Sequence, residues 1–334
     1  MEQGSNPAEM VLQMASGLWM SRAVWAVAHF KIADHVPEEG ITVEELADKT
    51  GLLPDRLLRL MRIMAAFGVF RVLPTGKFAS TETSACLTSD GPQSLRAFVD
   101  SVFGLEHYDA FGRIDAALTA PTSGFMAHYD QPAFEFYGEN PERGALFAQA
   151  MSDFTGPIDA AVAAYDFPPF NKLVDIGGSH GTLLSRILER YPDREGVIFD
   201  LPEVAERASE TFGHTDRIKA QGGDFFQEVP VGGDLYLLKF ILHDWTDEQN
   251  VKILKNIRAA MAPGGRLCIM EMVLPDDHSP HVGWLLDFNM MAVTGGRERT
   301  RCEYETLLAE AGFTLTKATP APPNMTILEA VPVG

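Results

Sequence analysis

The spacing of apolar positions divides the chain into two styles. Across residues 7–105 they recur at helical period. Pro7–His35 carries Met10, Leu12, Met14, Leu18, Trp19, Val24, Trp25 and Val27. A helix apolar almost all round is covered on more than one side, and a second subunit is the expected cover. Thr42, three residues before Glu45, is a capping-box signature that opens a helix over Val43–Lys49. After the Thr50-Gly51 turn, Leu57, Leu58, Leu60, Met61 and Ile63 stripe a helix over Pro54–Phe67. Short strands Val69–Leu73 and Lys77–Ala79 flank Pro74-Thr75-Gly76. Helix, turn, helix and hairpin is the order of a winged helix. Residues 106–165 stay helical, are broken at Pro121, Pro132 and Pro141, and are rich in aromatics, which suits a linker and pocket wall.

From Asn171 the period changes. Strands are predicted at Lys172–Ile176, Gly196–Leu201, Arg217–Ala220, Asp234–Ile241 and Arg266–Val273. They alternate with helices over Thr182–Tyr191, Pro202–Phe212 and Asp247–Met261, the signature of an α/β, doubly wound parallel sheet. Helices Trp284–Val293 and Cys302–Ala311 precede Phe313–Lys317 and Met325–Val331, which are expected to pair as an antiparallel hairpin at one edge. The expected division is 1–105, a winged-helix-like domain; 106–165, the helical linker; and 166–334, the sheet domain.

Composition narrows the function. The 334 residues hold 46 acidic and 27 basic side chains, a net charge of −19. Residues 1–100 alone hold nine Lys/Arg against twelve Asp/Glu, so the winged helix lacks the basic face that nucleic acid requires. Anionic membrane surfaces are disfavoured for the same reason. Cys86, Cys268 and Cys302 are scattered and form no CxxC pair, which suits a reduced, cytoplasmic chain without a thiolate zinc site. The opening MEQGSNPAEM has no leader character, and no run approaches the ~20 apolar residues of a membrane span. His278 and His281, the one close histidine pair, sit on a Pro-containing loop and read as solvated; no metal is expected.

The chemistry-bearing segments lie at the ends of the predicted strands. Val174-Asp175-Ile176-Gly177-Gly178-Ser179-His180-Gly181 is a strand, glycine loop and helix start. A nicotinamide fingerprint G-x-G-x-x-G begun at Gly177 needs glycine at Ser179, and begun at Gly178 it fails at His180. The pattern present is D-x-G-x-x-x-G, which suits a nucleoside approaching the backbone closely. Asp200 closes the second strand, where a carboxylate can grip both ribose hydroxyls. Gly223-Asp224-Phe225-Phe226 follows the third, with an acid for an exocyclic amine beside an aromatic wall. After the fourth strand, Leu242-His243-Asp244-Trp245 places a histidine at a switch-point loop, a candidate general base. Glu271, an acid in an apolar strand, and Glu298, in Gly295-Gly296-Arg297-Glu298-Arg299-Thr300, are its candidate partners.

With these motifs in place, the chain resembles the small-molecule O-methyltransferases that use S-adenosylmethionine, the group of plant caffeate-type and bacterial antibiotic-tailoring enzymes. The resemblance spans nearly the whole chain. It rests on Asp175–Gly181, Phe199-Asp200-Leu201-Pro202, the Gly223 and His243 segments, and Gly295–Thr300. It implies a class I methyltransferase Rossmann-like sheet behind a winged-helix dimerisation domain, a homodimer, and methyl transfer to a hydroxyl of an aromatic secondary metabolite, with S-adenosylhomocysteine as product. It implies His243 as base between Glu271 and Glu298. Cofactor contacts would be Asp175, Gly177, Gly178, Gly181, Asp200, Leu201, Gly223, Asp224, Phe225 and Lys239; Met151, Phe154, Trp284, Asp287, Met290 and Met291 would line the substrate pocket. Ser179 departs from the family's third glycine, a change the loop is expected to tolerate. The alternatives are a nitrogen-methylating or non-methylating relative, a winged-helix regulator sensing a nucleoside, and a nicotinamide dehydrogenase.

Overall fold

The computed structural model describes residues 6–91, 93–212, 215–322 and 324–334, without the side chains of 156–158, 160 and 161. The first five residues of the opening stretch lie outside this description. The chain forms two compact units: residues 1–109 with 134–154, and residues 110–133 with 155–334. Residues 106–165 thus contribute to both.

In the first unit, the single helix expected over Pro7–His35 is three pieces: Pro7–Ala15, Gly17–His29 and a short 3₁₀ turn at Ile32–His35. The first break has a local cause. Ser16 turns its hydroxyl back to the Gln13 carbonyl, and Gly17 has little helix propensity. The second break comes where Lys31 adopts φ +51°, a left-handed stop. The Thr42–Glu45 capping box forms both of its bonds and starts the helix Val43–Thr50. Helix Pro54–Ala66 buries Leu57, Met61 and Met64 against Val27, Ile32, Leu46 and Phe70. The hairpin that follows is shorter than expected, with β1 (Arg71–Val72) antiparallel to β2 (Phe78–Ala79). Later in this unit Arg143 grips the buried Glu106 with two bonds of 2.5 Å.

The second unit is built on seven strands: β3 (Lys172–Ile176), β4 (Glu195–Asp200), β5 (Ile218–Gly222), β6 (Leu235–Lys239), β7 (Arg266–Glu271), β8 (Phe313–Ala321) and β9 (Met325–Pro332). Their order is β5-β4-β3-β6-β7-β9-β8. The first five are parallel, and β9 pairs antiparallel with both β7 and β8, so the edge hairpin is present with a longer β8 than predicted. Strands β3 and β6 are buried along nearly their whole length, as continuous apolar runs between helical layers must be. The chain steps outward from β3 to β4 and β5, then returns to β6 on the other side of β3. That reversal puts a switch point at the carboxyl ends of β3 and β6, where open α/β sheets form their ligand crevice. Among the described residues no helix is long and apolar enough to cross a membrane.

Candidate active site

The glycine loop leaves β3 at the switch point. Gly177 has φ +69°, and a Cβ there would lie 2.3 Å from Ile241 Cδ1, so only glycine fits between this loop and the one after β6. Gly181 has φ +75° and would carry its Cβ to 2.2 Å from Ile198; it starts the helix Thr182–Arg190. Ser179 adopts φ +49°, the conformation a glycine would hold freely. Its N–H donates to Asp200 Oδ2 at 2.8 Å, and the Leu201 N–H donates to Oδ1 at 2.8 Å. Burial raises the Asp200 pKa and these two donors oppose it. Each Asp200 oxygen keeps a second lone pair. Leu201 is exposed beside it.

The other predicted contacts lie at the same end of the sheet. Asp200 and Gly222 are register partners on β4 and β5, and the Gly223 N–H donates to the Asp200 carbonyl at 2.9 Å. The exposed Asp224 folds its carboxylate onto the Phe226 N–H at 2.8 Å. Phe225 packs edge-on against Phe226 and Trp245. Asp175 lies buried in β3; burial pushes its pKa up to about 7, with Lys239 opposing and Asp159 and Asp200 adding to the rise. Lys239, at the end of β6, ion-pairs with the buried Asp159. Asp159 was invisible as a site residue in the sequence, an acid within a long helical stretch.

The turn after β6 carries the histidine. Phe240 takes φ +52°, strained for an aromatic residue, and stacks on the His243 ring with centroids 5.4 Å apart. Buried Glu271, from the end of β7, steadies this turn by accepting the N–H groups of Ile241 (3.1 Å) and Leu242 (2.9 Å) on Oε1. The turn places His243 Nδ1 2.7 Å from Glu298 Oε1 and 3.8 Å from Glu271 Oε2. Glu298 therefore holds the imidazole by hydrogen bond, while Glu271 holds the backbone and acts on the ring through charge. The carboxylate accepts, so Nδ1 donates and Nε2 is the nitrogen at which the ring gains or loses its second proton. Asp244 Oδ1 lies 3.8 Å from Nε2. Burial works against a charged ring, yet Glu298, Asp244 and Glu271 outweigh it and hold the His243 pKa up to about 10. Burial raises Glu271 and takes Asp244 to about 6, with the imidazole opposing both.

Among the described residues, His243, Glu271 and Glu298 are also close enough to hold a cation, with ligand atoms within 4.8 Å of one another. The 2.7 Å contact favours a shared proton: two ligands on bonds of ~2.0–2.1 Å in a tetrahedral shell stand roughly 3.3 Å apart.

The residues expected to line a substrate pocket are divided. Trp284, Asp287, Met290 and Met291 lie on the helix Gly283–Val293 of the second unit. Asp287 Oδ1 accepts the Glu298 N–H at 2.9 Å, so it supports the residue that holds His243 Nδ1. Trp284 donates its indole N–H to Ser279. Met151 and Phe154 belong to the first unit, where Phe154 stacks on Phe98.

A seven-stranded sheet with this strand order, glycine loop and terminal antiparallel pair is the fold of a class I methyltransferase. Residues 111–314 match the O-methyltransferase domain family, and residues 12–90 match the O-methyltransferase dimerisation domain. The chain belongs to the O-methyltransferase family. It is 37% identical over 330 residues to a phenazine O-methyltransferase of Lysobacter antibioticus, covering 98% of this chain and 96% of that one. The crystal structure of LaPhzM superposes with a TM-score of 0.93 at 37% identity, covering 98% of this chain and all of that one. An O-methyltransferase from neocarzinostatin biosynthesis, solved with S-adenosylmethionine and 2-hydroxy-5-methyl naphthoic acid, superposes with a TM-score of 0.83 at 29% identity, covering 94% and 96%.

The left-handed Ser179 gives the first test. Ser179→Gly relieves a conformation that costs a non-glycine residue about 1–2 kcal/mol, offset by about 0.5–1 kcal/mol of added freedom in the unfolded chain. A net gain of up to about 1 kcal/mol in urea unfolding is expected, and a loss of stability would show that the serine hydroxyl is needed.

Proposed function

We propose that this enzyme transfers the methyl group of S-adenosylmethionine to a hydroxyl of an aromatic small molecule, with His243 as general base. The observation that carries the reading is the buried imidazole whose Nδ1 is fixed by Glu298 while Nε2 is left for an acceptor. The names of the relatives, a phenazine enzyme and a naphthoic acid complex, support an aromatic acceptor.

The glycine loop fits the cofactor: Gly177 and Gly181 keep space a Cβ would fill, and Asp200 offers one lone pair on each oxygen to a ribose hydroxyl. Asp175, Gly178, Leu201, Gly223, Asp224, Phe225 and Lys239 complete that side of the reading. When bound, the cofactor supplies a sulfonium-activated methyl group. The chain's own part is proton removal and orientation. A phenol has a pKa of about 10, and His243 is held at about 10, so the proton moves from oxygen to Nε2 at little cost. Glu298 then lies against the imidazolium, and Glu271 keeps the loop from relaxing. Trp284, Asp287, Met290 and Met291 would flank the acceptor.

We read the functional unit as a homodimer. The dimerisation-domain match covers an apolar surface in which Leu12, Met14, Leu18 and Trp19 are all exposed, Trp19 by 74%. On this reading residues 1–105 assemble the dimer and 166–334 hold the cofactor and base. Light scattering should find about twice 36.6 kDa at micromolar concentration; a stable monomer removes this reading.

Two experiments test the chemistry. Asp200→Ala removes two charge-assisted acceptors and should weaken S-adenosylhomocysteine binding on the order of 100-fold in calorimetry; unchanged affinity in the folded variant excludes Asp200. His243→Ala should lower turnover by about 10²–10⁴-fold while binding S-adenosylhomocysteine as before, and higher pH should partly restore a phenol's reaction. In the native enzyme only the neutral ring is a base, so turnover should rise with pH through neutrality and level near 10. Glu298→Gln takes away a charge that raises the ring's pKa, so its plateau should begin at lower pH. A plateau that stays in place assigns the limb to another group.

A further inference from the structure

Among the described residues Arg299 is the largest fully buried side chain, 1% exposed, and the mechanism above gives it no part. A guanidinium has five N–H donors, and here all five are used. Nε donates to Asp247 Oδ1 at 2.8 Å, and Nη2 donates to the same oxygen at 2.6 Å. The second Nη2 donor meets the Trp245 carbonyl at 3.0 Å. Nη1 donates to the carbonyls of Leu242 at 3.0 Å and Arg297 at 3.1 Å.

Those three carbonyls flank the reactive pair. Leu242 precedes His243, Trp245 ends the same turn, and Arg297 precedes Glu298. The two segments are also pressed together directly. The Arg297 N–H donates to the His243 carbonyl at 2.8 Å, and a Cβ on Gly296 would lie 2.0 Å from that carbonyl. Asn250 Nδ2 adds bonds to the Leu242 and Trp245 carbonyls at 2.7 and 3.1 Å. It holds the histidine turn alone, whereas Arg299 ties that turn to the glutamate turn.

We infer that Arg299 is a positioning residue for the reaction: its guanidinium fixes the separation of His243 Nδ1 from Glu298 Oε1 by bonding the backbone on both sides of the pair. Lysine cannot replace it. An ammonium is a point with three donors, and it cannot span three carbonyls and a carboxylate that a planar fork reaches together. Asp247 anchors the fork from the surface, being itself half exposed. The inference rests on the reading of His243 as base.

The readout is the imidazole itself. Glu298 from the Gly295–Thr300 turn, Glu271 from β7 and Asp244 from the ring's own turn are the charges facing it, with Tyr304 and Arg299 behind the two glutamates. If the fork slackens, Glu298 recedes from Nδ1 and the ring's pKa falls. The test uses the ligand-free protein labelled with ¹⁵N-histidine, with the His243 signal assigned by His243→Asn and followed through pH. In Arg299→Lys the His243 titration and the acid limb of kcat should both move down by about a pH unit or more. Turnover should fall about 10–100-fold, the scale of small misplacements, with acceptor KM and S-adenosylhomocysteine affinity within about threefold. Asp247→Ala should shift the same quantities in the same direction by less. A folded Arg299→Lys with an unchanged titration and kcat, beside an inactive His243→Ala, overturns the role of Arg299 and leaves the base in place. Where Arg299→Lys does not fold, a folded Asp247→Ala with an unchanged His243 titration overturns it equally. A fully active His243→Ala overturns the base reading and this inference with it.

Discussion

Burying an imidazole among carboxylates is the constraint on which the rest of the site depends. His243 is 8% exposed, Glu298 2% and Glu271 fully buried. Charges taken out of water at this density cost several kcal/mol each unless geometry and hydrogen bonds compensate. The surroundings supply that compensation piece by piece. One Glu271 oxygen takes two backbone N–H groups, one Glu298 oxygen takes Nδ1, and the Glu298 N–H is itself taken by Asp287. The strained Phe240 is the counterpart: the turn adopts an unfavourable backbone because the carboxylate beneath it over-determines its path.

The sheet explains why the two halves of the chemistry meet. Strands β3, β4 and β5 carry the glycine loop, Asp200 and the Asp224 turn on one side of the switch point. Strands β6 and β7 carry His243 and Glu271 on the other. The absent Cβ of Gly177 marks the contact, since it alone lets the Ile241 side chain fill the space between the two loops. Gly177 combines a left-handed φ with a close approach to Ile241, whereas at Ser179 a side chain is carried at φ +49°.

Much of this was legible in the sequence because it is local. Short apolar runs with a glycine at one end pointed to β3 and β4, and Thr42 with Glu45 pointed to a capped helix start. Glu271 stood out as an acid in an apolar strand, His243 by its place after the fourth strand, and Glu298 by its Gly-rich turn. What was not legible depends on side chains meeting across distance. Lys239 stood among the implied cofactor contacts, and only the fold shows that Asp159, 80 residues earlier, pairs with it. Glu271 looks like an imidazole partner, and only the fold shows its hydrogen bonds going to the backbone. Arg299 sits in a charged hexapeptide whose spacing resembles a solvated turn, and no periodicity marks it as buried. The helix break at Ser16 was missed for the opposite reason: the apolar pattern continues through it, and a weak local preference decided the backbone.

The two ends of the cleft solve the same electrostatic problem in different ways. Asp200 stays partly open and satisfies each oxygen with one backbone donor, so it accepts from a ligand without rearrangement. His243 is buried with three carboxyl groups around it, and burial raises the pKa of Asp244 and Glu271 while the imidazole opposes both. Groups packed this closely keep their interaction only while their separations hold, because charge–charge energy at short range changes steeply with distance. The arrangement therefore requires rigid backbone on both sides of the His243–Glu298 pair.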